Sequence, residues 1–209
     1  PPRSTLFPYT TLFRSAELGW LGLAFDEEDG GFGGNQIDTL VLMEQFGKGL
    51  VLEPFLANIV LAGGAIKRGA SKVLKESIIP KLIEGNLQLT LAYAEEQSRF
   101  DIEDVATAAR EDAGNFIING KKSMVLNAES ADKVVVVTRT SGSQVDINGI
   151  SLFLVDLDSE GIERDNFPTV DGLRASEITF KDVKVSAENL IGEKDRSEER
   201  RVGKECRSR

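Results

Sequence analysis

The sequence predicts an α+β protein in which an N-terminal helical domain is followed by an antiparallel middle β-barrel domain. Apolar residues recur with the 3.6-residue period of helices through the first part of the chain, and from Leu87 onward they follow the two-residue period of strands. The later segments are short, rich in Val, Ile, Thr and Phe, and bounded by Asn, Gly, Asp or Ser. Such spacing is typical of an antiparallel barrel or sandwich, and it places the domain boundary near Asn86.

Three helices are expected before that boundary. Asn35 is an N-cap candidate, and Asp38 supplies a first-turn carboxylate three residues later. Ser71 is the cap candidate of the third helix, and Pro80 is expected to strain that helix because proline lacks a backbone N–H. The expected helices span residues 35–50, 54–68 and 71–84.

Seven strand candidates follow in the second half. Between the third and fourth lies Asn119-Gly120, a dipeptide that favours a type I′ hairpin turn because both turn residues need positive φ. The strand candidates span residues 87–94, 105–112, 115–120, 122–127, 133–140, 150–156 and 177–185.

The two ends of the chain can be encoded by opposite strands of one DNA string. A string that encodes residues 5–15 (TLFPYTTLFRS) encodes residues 196–206 (RSEERRVGKEC) on its complementary strand. The string also resembles a common sequencing adapter, so we expect the chain ends to be translated adapter sequence and not part of the fold. The expected division is adapter at 1–15, helical domain at 16–86, β domain at 87–195 and adapter at 196–209.

The composition excludes several kinds of chemistry. The chain has no histidine, and its one cysteine, Cys206, lies in the expected adapter segment, so histidine bases, disulfides and Cys or His metal ligands are not expected. With 34 acidic against 25 basic residues and a formal charge of −9, it has no electrostatic footprint for nucleic acid. No apolar run reaches the roughly 18 residues needed to span a membrane. We expect no metal site, no nucleic acid, no membrane insertion and a cytoplasmic location.

Three loops carry the candidate site residues, each with a plain alternative. Residues 29–35 (DGGFGGN) are a plain loop or a loop near a ligand entrance. Residues 92–101 (AYAEEQSRFD) are a solvated loop or a ligand-facing loop in which Ser98 and backbone N–H groups bind an anion such as a pyrophosphate. Residues 172–177 (GLRASE) are a surface loop, or they hold a buried Arg174 that pairs with a carboxylate or a ligand phosphate.

Taken in order, these segments resemble the acyl-CoA dehydrogenase family. The stretches that carry the resemblance are ELGWLGLAFDEEDGGFGG, MEQFGKGL, the 94–101 loop in place of a TEPxAGSD loop, residues 120–132 in place of GxKxFITNGxxAD, and FKDVKVSAENLIGE. The resemblance covers essentially all of residues 16–195. The loop together with FPTVDGLRASE is most similar to the branch that contains pimeloyl-CoA dehydrogenase small subunits.

The resemblance implies an FAD-dependent enzyme that dehydrogenates an acyl-CoA thioester between its α and β carbons. It implies acyl-CoA as substrate, an electron-transferring flavoprotein or similar acceptor as partner, and a homo- or hetero-oligomer. In the family the catalytic base lies in a C-terminal helical bundle that this chain lacks, so no residue here is nominated as the base. Residues 16–195 alone are therefore expected to be inactive.

The resemblance also assigns site residues, with departures from the family pattern. The aromatic residue that flanks the flavin is replaced by Met124, and the threonine that bonds flavin N5 is replaced by Leu126. Two alternatives therefore stay open: a non-catalytic partner subunit, and an acyl-CoA oxidase or flavin monooxygenase of the same fold. The implied flavin neighbours are Tyr93, Ala94, Glu95, Ser98, Val125, Leu126 and Asn127, mostly through backbone atoms. The implied substrate-binding residues are Arg99, Phe100 and Arg174.

Overall fold

The fold is taken from a computed structural model, which describes residues 15–195. The expected adapter segments, apart from Ser15, therefore lie outside the described residues.

The helical part contains all three expected helices. Asn35 caps the first through a capping box, because its Oδ1 accepts from the N–H of Ile37 (2.7 Å) and its own N–H donates to the Asp38 carboxylate (2.8 Å). Ser71 caps the third through the N–H of Leu74 (3.3 Å). The helices are α1 (Gln36–Gly49), a π-helix (Leu56–Gly63) that continues into α2 (Gly64–Gly69), and α3 (Lys72–Ile83). Short 3₁₀ turns span Trp20–Gly22, Glu27–Asp29 and Ala187–Asn189.

Pro80 lies inside α3, and the helix continues past it to Ile83. A proline in a helix interior costs about 3 kcal/mol. The apolar face of α3 offsets this cost, since Ile78, Ile79 and Leu82 are buried in the same core as Leu21. Burial of a large aliphatic side chain contributes about 1.5–3 kcal/mol, so three of them outweigh the missing backbone hydrogen bond.

An eight-stranded sheet follows the helices, which confirms the expected fold class of a helical part followed by a β domain. Hydrogen-bonded neighbours run β6-β7-β3-β2-β4-β5-β8, and β1 pairs with β4. Most neighbours are antiparallel, as expected, but β1 and β2 each run parallel to β4. The strands are β1 (Leu89–Ala92), β2 (Ala108–Asp112), β3 (Asn115–Leu126), β4 (Lys133–Arg139), β5 (Ile150–Asp156), β6 (Ile162–Pro168), β7 (Arg174–Ser186) and β8 (Leu190–Ile191).

The hairpin expected at Asn119-Gly120 is wrong. Both residues lie inside the continuous strand β3, where the pairing with β7 shifts register. Gly120 has φ 147°, and a Cβ there would lie 2.6 Å from the Cα of Thr107, so the glycine serves a bulge and a close backbone approach. The tight turn between β2 and β3 is at Ala113-Gly114, where φ is 49° and 82°.

The two faces of β4 belong to two different cores. Val135 and Val137 pack with the helices, whereas Val134 and Val136 pack inside the folded sheet. This alternation explains why β4 is a continuous run of valines, since a strand covered on both faces needs apolar residues at every position. The rings of Phe116 (β3) and Phe153 (β5) lie 4.6 Å apart, so the sheet curls over onto itself. Strand β1, which pairs with β4, leads into the 92–101 loop.

Candidate functional site

Residues 93–95, directly after β1, are bound to strand β3 by three consecutive contacts. The Lys122 ammonium donates to the carbonyl of Tyr93 (3.3 Å), and the N–H of Ser123 donates to the carbonyl of Ala94 (2.9 Å). The third contact is an ion pair between Lys122 Nζ and Glu95 Oε1, at 2.7 Å. We call residues 93–101 the front loop; its first three residues are fixed to β3 by backbone and side-chain bonds together.

The Glu95–Lys122 ion pair is almost free of solvent, with the two side chains 2% and 0% exposed. The Glu95 carboxylate also accepts from the N–H of Ala106 (2.8 Å), the N–H of Thr107 (3.0 Å) and the amide of Gln97 (2.7 Å). Burial alone raises the pKa of Glu95, but the charge and hydrogen bond of Lys122, together with the hydrogen bonds of Gln97 and Thr107, lower it to about 2. Glu95 is therefore ionised and fully bonded at neutral pH.

Ser98 is buried, and its hydroxyl serves the loop itself. Its Oγ accepts from the N–H of Glu95 (3.1 Å) and donates to the Glu95 carbonyl (2.9 Å). The Ser98 carbonyl accepts from the N–H of Asp101 (2.7 Å). These bonds direct the hydroxyl toward the loop backbone, whereas the anion-binding interpretation of Ser98 needs it to face a ligand.

The outer surface of this region carries apolar side chains. Tyr93 is 46% exposed, Met124 is 52% exposed, and Phe100 is fully exposed. Arg99 (φ 49°) and Met124 (φ 51°) both adopt the left-handed conformation, which non-glycine residues rarely take. Tyr93 and Met124 each neighbour in sequence one member of the bonded pair of residues 94 and 123, and both side chains are exposed.

The end of β3 lies next to β1 and to the turn before β7. Val125 is buried, and the carbonyl of Leu126 accepts from the hydroxyl of Thr90 (2.6 Å). The N–H of Asn127, which has φ 58°, donates to the carbonyl of Arg174 (2.9 Å). The structure therefore brings six of the seven expected flavin neighbours onto two adjacent segments, 93–95 and 125–127, with Ser98 enclosed in the loop.

Arg174 is half-exposed and forms an ion pair with Glu129, with 2.6 Å between its Nε and the carboxylate. It begins β7 and lies beside Asn127 through its backbone carbonyl. Of the alternatives for this residue, the structure shows a surface position with a carboxylate partner. Its guanidinium remains accessible to an anion at the edge of the candidate site.

Two buried cations of the region were not expected from the sequence. Lys122 sits in a strand position that apolar side chains usually occupy, and its partner is 27 residues earlier in the chain. Arg139 is also buried, and its guanidinium donates to four backbone carbonyls, those of Glu103 (2.7 Å), Gln144 (2.7 Å), Asp146 (2.8 Å) and Asn148 (2.7 Å). No local signal distinguishes such cations from exposed strand residues.

The glycines of the 29–35 loop contact the chain itself. A Cβ on Gly31 would lie 2.2 Å from the carbonyl oxygen of Phe25, and one on Gly34 would lie 2.5 Å from that of Leu23. Lys67 of α2 fixes the same region by donating to the carbonyl of Ala24 (2.6 Å). These contacts support the plain-loop interpretation of the segment.

A shallow acidic cavity of about 400 Å³ lies beside this loop, away from the front loop. It is lined by Glu28, Asp29, Gly30, Glu76, Pro80, Ile83 and Glu84; two of these begin the 29–35 loop, and none is an implied flavin or substrate contact. Within residues 15–195, no helix has the length and apolar character needed to cross a membrane.

Comparison with known proteins identifies the family. The family model described as the acyl-CoA dehydrogenase middle domain matches residues 90–183, and the one described as the N-terminal domain matches residues 3–86. The chain belongs to the acyl-CoA dehydrogenase family. This confirms the resemblance that the sequence motifs indicate.

Similar curated proteins are considerably longer than the chain. The CarC subunit of the caffeyl-CoA reductase-Etf complex from Acetobacterium woodii is 29% identical over 192 residues, which cover 90% of this chain and 50% of that protein. The (2S)-methylsuccinyl-CoA dehydrogenase of Cereibacter sphaeroides is 27% identical, with 91% of this chain and 37% of that protein covered. The chain thus spans about half, or less, of the length of these relatives.

Similar solved structures show the same fold. A probable acyl-CoA dehydrogenase from Mycobacterium abscessus matches with a TM-score of 0.85 and 27% identity, over 95% of this chain and 54% of that one. The ChsE4-ChsE5 complex from Mycobacterium tuberculosis matches with a TM-score of 0.85 and 25% identity, over 96% and 52%. Both acyl-CoA dehydrogenase domains of the chain therefore have close counterparts in backbone geometry.

Proposed function

We propose that the chain supplies the N-terminal and middle domains of an FAD-dependent acyl-CoA dehydrogenase. The observation that supports this most strongly is the match of both domain models in order along the chain. The names of two relatives, isovaleryl-CoA dehydrogenase from Pongo abelii and caffeyl-CoA reductase, point to acyl-CoA thioesters as the substrate class. The bound flavin supplies the hydride acceptor, and the protein supplies orientation and exclusion of water.

The surface at the front loop fits one side of a flavin ring system in its chemistry. A flat aromatic heterocycle needs apolar contact on its face and hydrogen-bond donors at its edge. Tyr93 and Met124 supply half-exposed apolar side chains for that face. Leu126 supplies no hydroxyl, and the N–H groups of Ser123 and Asn127 already donate to carbonyls of the chain, so we propose that other main-chain atoms of residues 93–95 and 125–127 bind the edge. Arg99, Phe100 and Arg174 at the rim are the proposed contacts for the acyl-CoA.

Glu95, the buried carboxylate of the front loop, does not qualify as the base that removes the substrate α-proton. A base must accept a proton near neutral pH, whereas the pKa of Glu95 is lowered to about 2 after the opposing effect of its burial is included. Its oxygens are also occupied by Lys122 and by backbone N–H groups. We therefore propose that the base lies outside residues 15–195, as in the family, and that Glu95 serves the geometry of the loop.

The test uses the full-length parent protein beside the 209-residue chain. The parent is expected to purify with FAD, and an acyl-CoA thioester added without oxygen should bleach the flavin absorbance. The 209-residue chain is expected to give no bleaching with the same thioesters. A flavin-loaded parent that no thioester in a panel of short, branched and aromatic acyl groups can reduce would overturn the proposed reaction.

A second candidate function is a non-catalytic subunit that stabilises a related active chain. The residue that favours it is Leu126, which places an apolar side chain where the family pattern has a hydroxyl. Yellow flavin copurifying with the parent as a single chain would argue against this candidate. An active parent would also need an electron acceptor, for which an electron-transferring flavoprotein is our proposal, in line with the Etf complex named for CarC.

A further inference from the structure

The buried Glu95–Lys122 ion pair connects three segments of the candidate site. The Glu95 carboxylate accepts from the N–H groups of Ala106 and Thr107, just before β2, and it pairs with Lys122 of β3. Lys122 reaches back to the Tyr93 carbonyl. One carboxylate and one ammonium thus hold three segments of chain that are distant in sequence.

Such a pair is poorly explained by stability alone. Removing two charges from water is costly, and buried ion pairs can often be replaced by uncharged residues of similar volume without loss of stability. Buried charges do, however, fix geometry, because each of their hydrogen bonds is satisfied in only one arrangement. Here that arrangement determines the position of residues 93–95 relative to residues 122–124.

We propose that Glu95 and Lys122 form a positioning pair that sets the separation and orientation of Tyr93 and Met124, the two exposed side chains that the proposed function places against the flavin. The inference rests on the proposed function for the identity of the ligand. The position of the loop itself can be measured without any ligand. Neither residue touches the reacting atoms, so both act through the side chains that they position.

The test compares the full chain with the double variant Glu95→Gln/Lys122→Met, which removes both charges and keeps an acceptor at position 95. The matched control is Glu163→Gln/Lys181→Met, which removes an exposed ion pair of 2.6 Å between β6 and β7. Far-UV circular dichroism and thermal unfolding report the fold. Fluorine NMR of chains labelled with 3-fluorotyrosine reports the loop, since the chain has two tyrosines, Tyr9 and Tyr93, and Tyr93→Phe assigns the signal.

A positioning pair predicts a folded double variant in which the Tyr93 fluorine line is broadened or split while the Tyr9 line is unchanged. The FAD dissociation constant should rise at least about tenfold, since a loop that must be ordered on binding loses affinity. The control variant should match the wild type in both measurements.

Two results would overturn the inference. One is a folded double variant with a wild-type Tyr93 line and wild-type FAD affinity. The other is a double variant that does not fold, because the pair would then serve the fold itself. If the wild-type chain binds no FAD, the proposed flavin site fails in this chain, and the Tyr93 line still decides whether the pair positions the loop.

Discussion

Replacing Lys122 with methionine removes the ammonium and leaves the Glu95 carboxylate buried without its counter-charge. Breaking a buried ion pair by removing one partner typically lowers the free energy of unfolding by about 3–5 kcal/mol. The pKa of Glu95 gives an independent magnitude. Its fall from 4.5 to about 2 on folding corresponds to about 3 kcal/mol of stability above the higher pKa, at 1.36 kcal/mol per pH unit. We therefore expect Lys122→Met to lower the free energy of unfolding by about 3 kcal/mol at neutral pH.

The loss should depend on pH in a defined direction. In the wild type the pKa of Glu95 is lower in the folded state, so its contribution is complete above about pH 4.5 and disappears as the pH falls through 2. About 2 kcal/mol of it is lost by pH 3. Without Lys122, burial raises the pKa of Glu95, so acid relieves the strain in the variant. The difference between the two proteins must therefore shrink on acidification.

Urea unfolding followed by circular dichroism at several pH values between 7 and 3 measures this difference. Lys181→Met is the control, because exposed ion pairs contribute at most about 1 kcal/mol and its partner Glu163 is well solvated. The reasoning is refuted if Lys122→Met lowers stability no more than Lys181→Met does at neutral pH. It is also refuted if the loss stays constant down to pH 3.

Three further predictions concern the stability of the fold. Gly120→Ala should lower the free energy of unfolding by at least about 2 kcal/mol in urea unfolding, because its φ is positive and a Cβ would meet Thr107, whereas Gly47→Ala in open space on α1 should raise it by about 0.5–1 kcal/mol. Asn35→Ala should lower it by about 1 kcal/mol and speed amide exchange in the first turn of α1, while Asn35→Asp keeps the cap. Arg139→Met should lower it by about 3 kcal/mol and speed amide exchange in residues 144–148, because four backbone carbonyls lose the buried guanidinium as donor.

The helices could be predicted from the sequence because their signals are local. Asn35 and Ser71 each satisfy backbone groups within three residues of themselves, so the cap and the helix start are recognised together. The π-helical hydrogen bonding of Leu56–Gly63 could not be predicted in this way. It lies in a segment packed on β1, where Asn58 bonds the N–H of Leu89 at 2.7 Å, a contact between residues 31 positions apart.

The sheet shows where local signals are ambiguous. Asn119-Gly120 favours positive φ, and positive φ serves a bulge as well as a turn. The structure has the bulge, because the backbone of Thr107 lies against Gly120. Strand β6 was not expected, because its sequence IERDNFP is mostly polar and its side chains are mostly exposed at the edge of the sheet.

The segments 92–101 and 122–127, which the sequence assigns to one candidate site, do meet, and their binding of a flavin stays a prediction. The roles of individual side chains were harder to predict. Ser98 is enclosed in its own loop, and Lys122 is buried although lysine in a strand usually faces solvent. Each depends on a partner that the chain brings close only when the sheet is complete.

Several altered positions of the family pattern lie at the surface, whereas the retained Glu95 is buried. Glu95, which matches the pattern, is buried and fully bonded, and Asp101, which also matches, accepts from the N–H of Glu103 at 3.0 Å. The departures Arg99, Phe100 and Met124 are exposed, and two of them have left-handed backbones. A backbone frame held by the retained residues tolerates new side chains on its outer surface, since those side chains support no part of the fold. The front loop is thus fixed at Glu95 and exposes Arg99 and Phe100, so differences in ligand contact between this protein and its relatives should originate at such exposed positions.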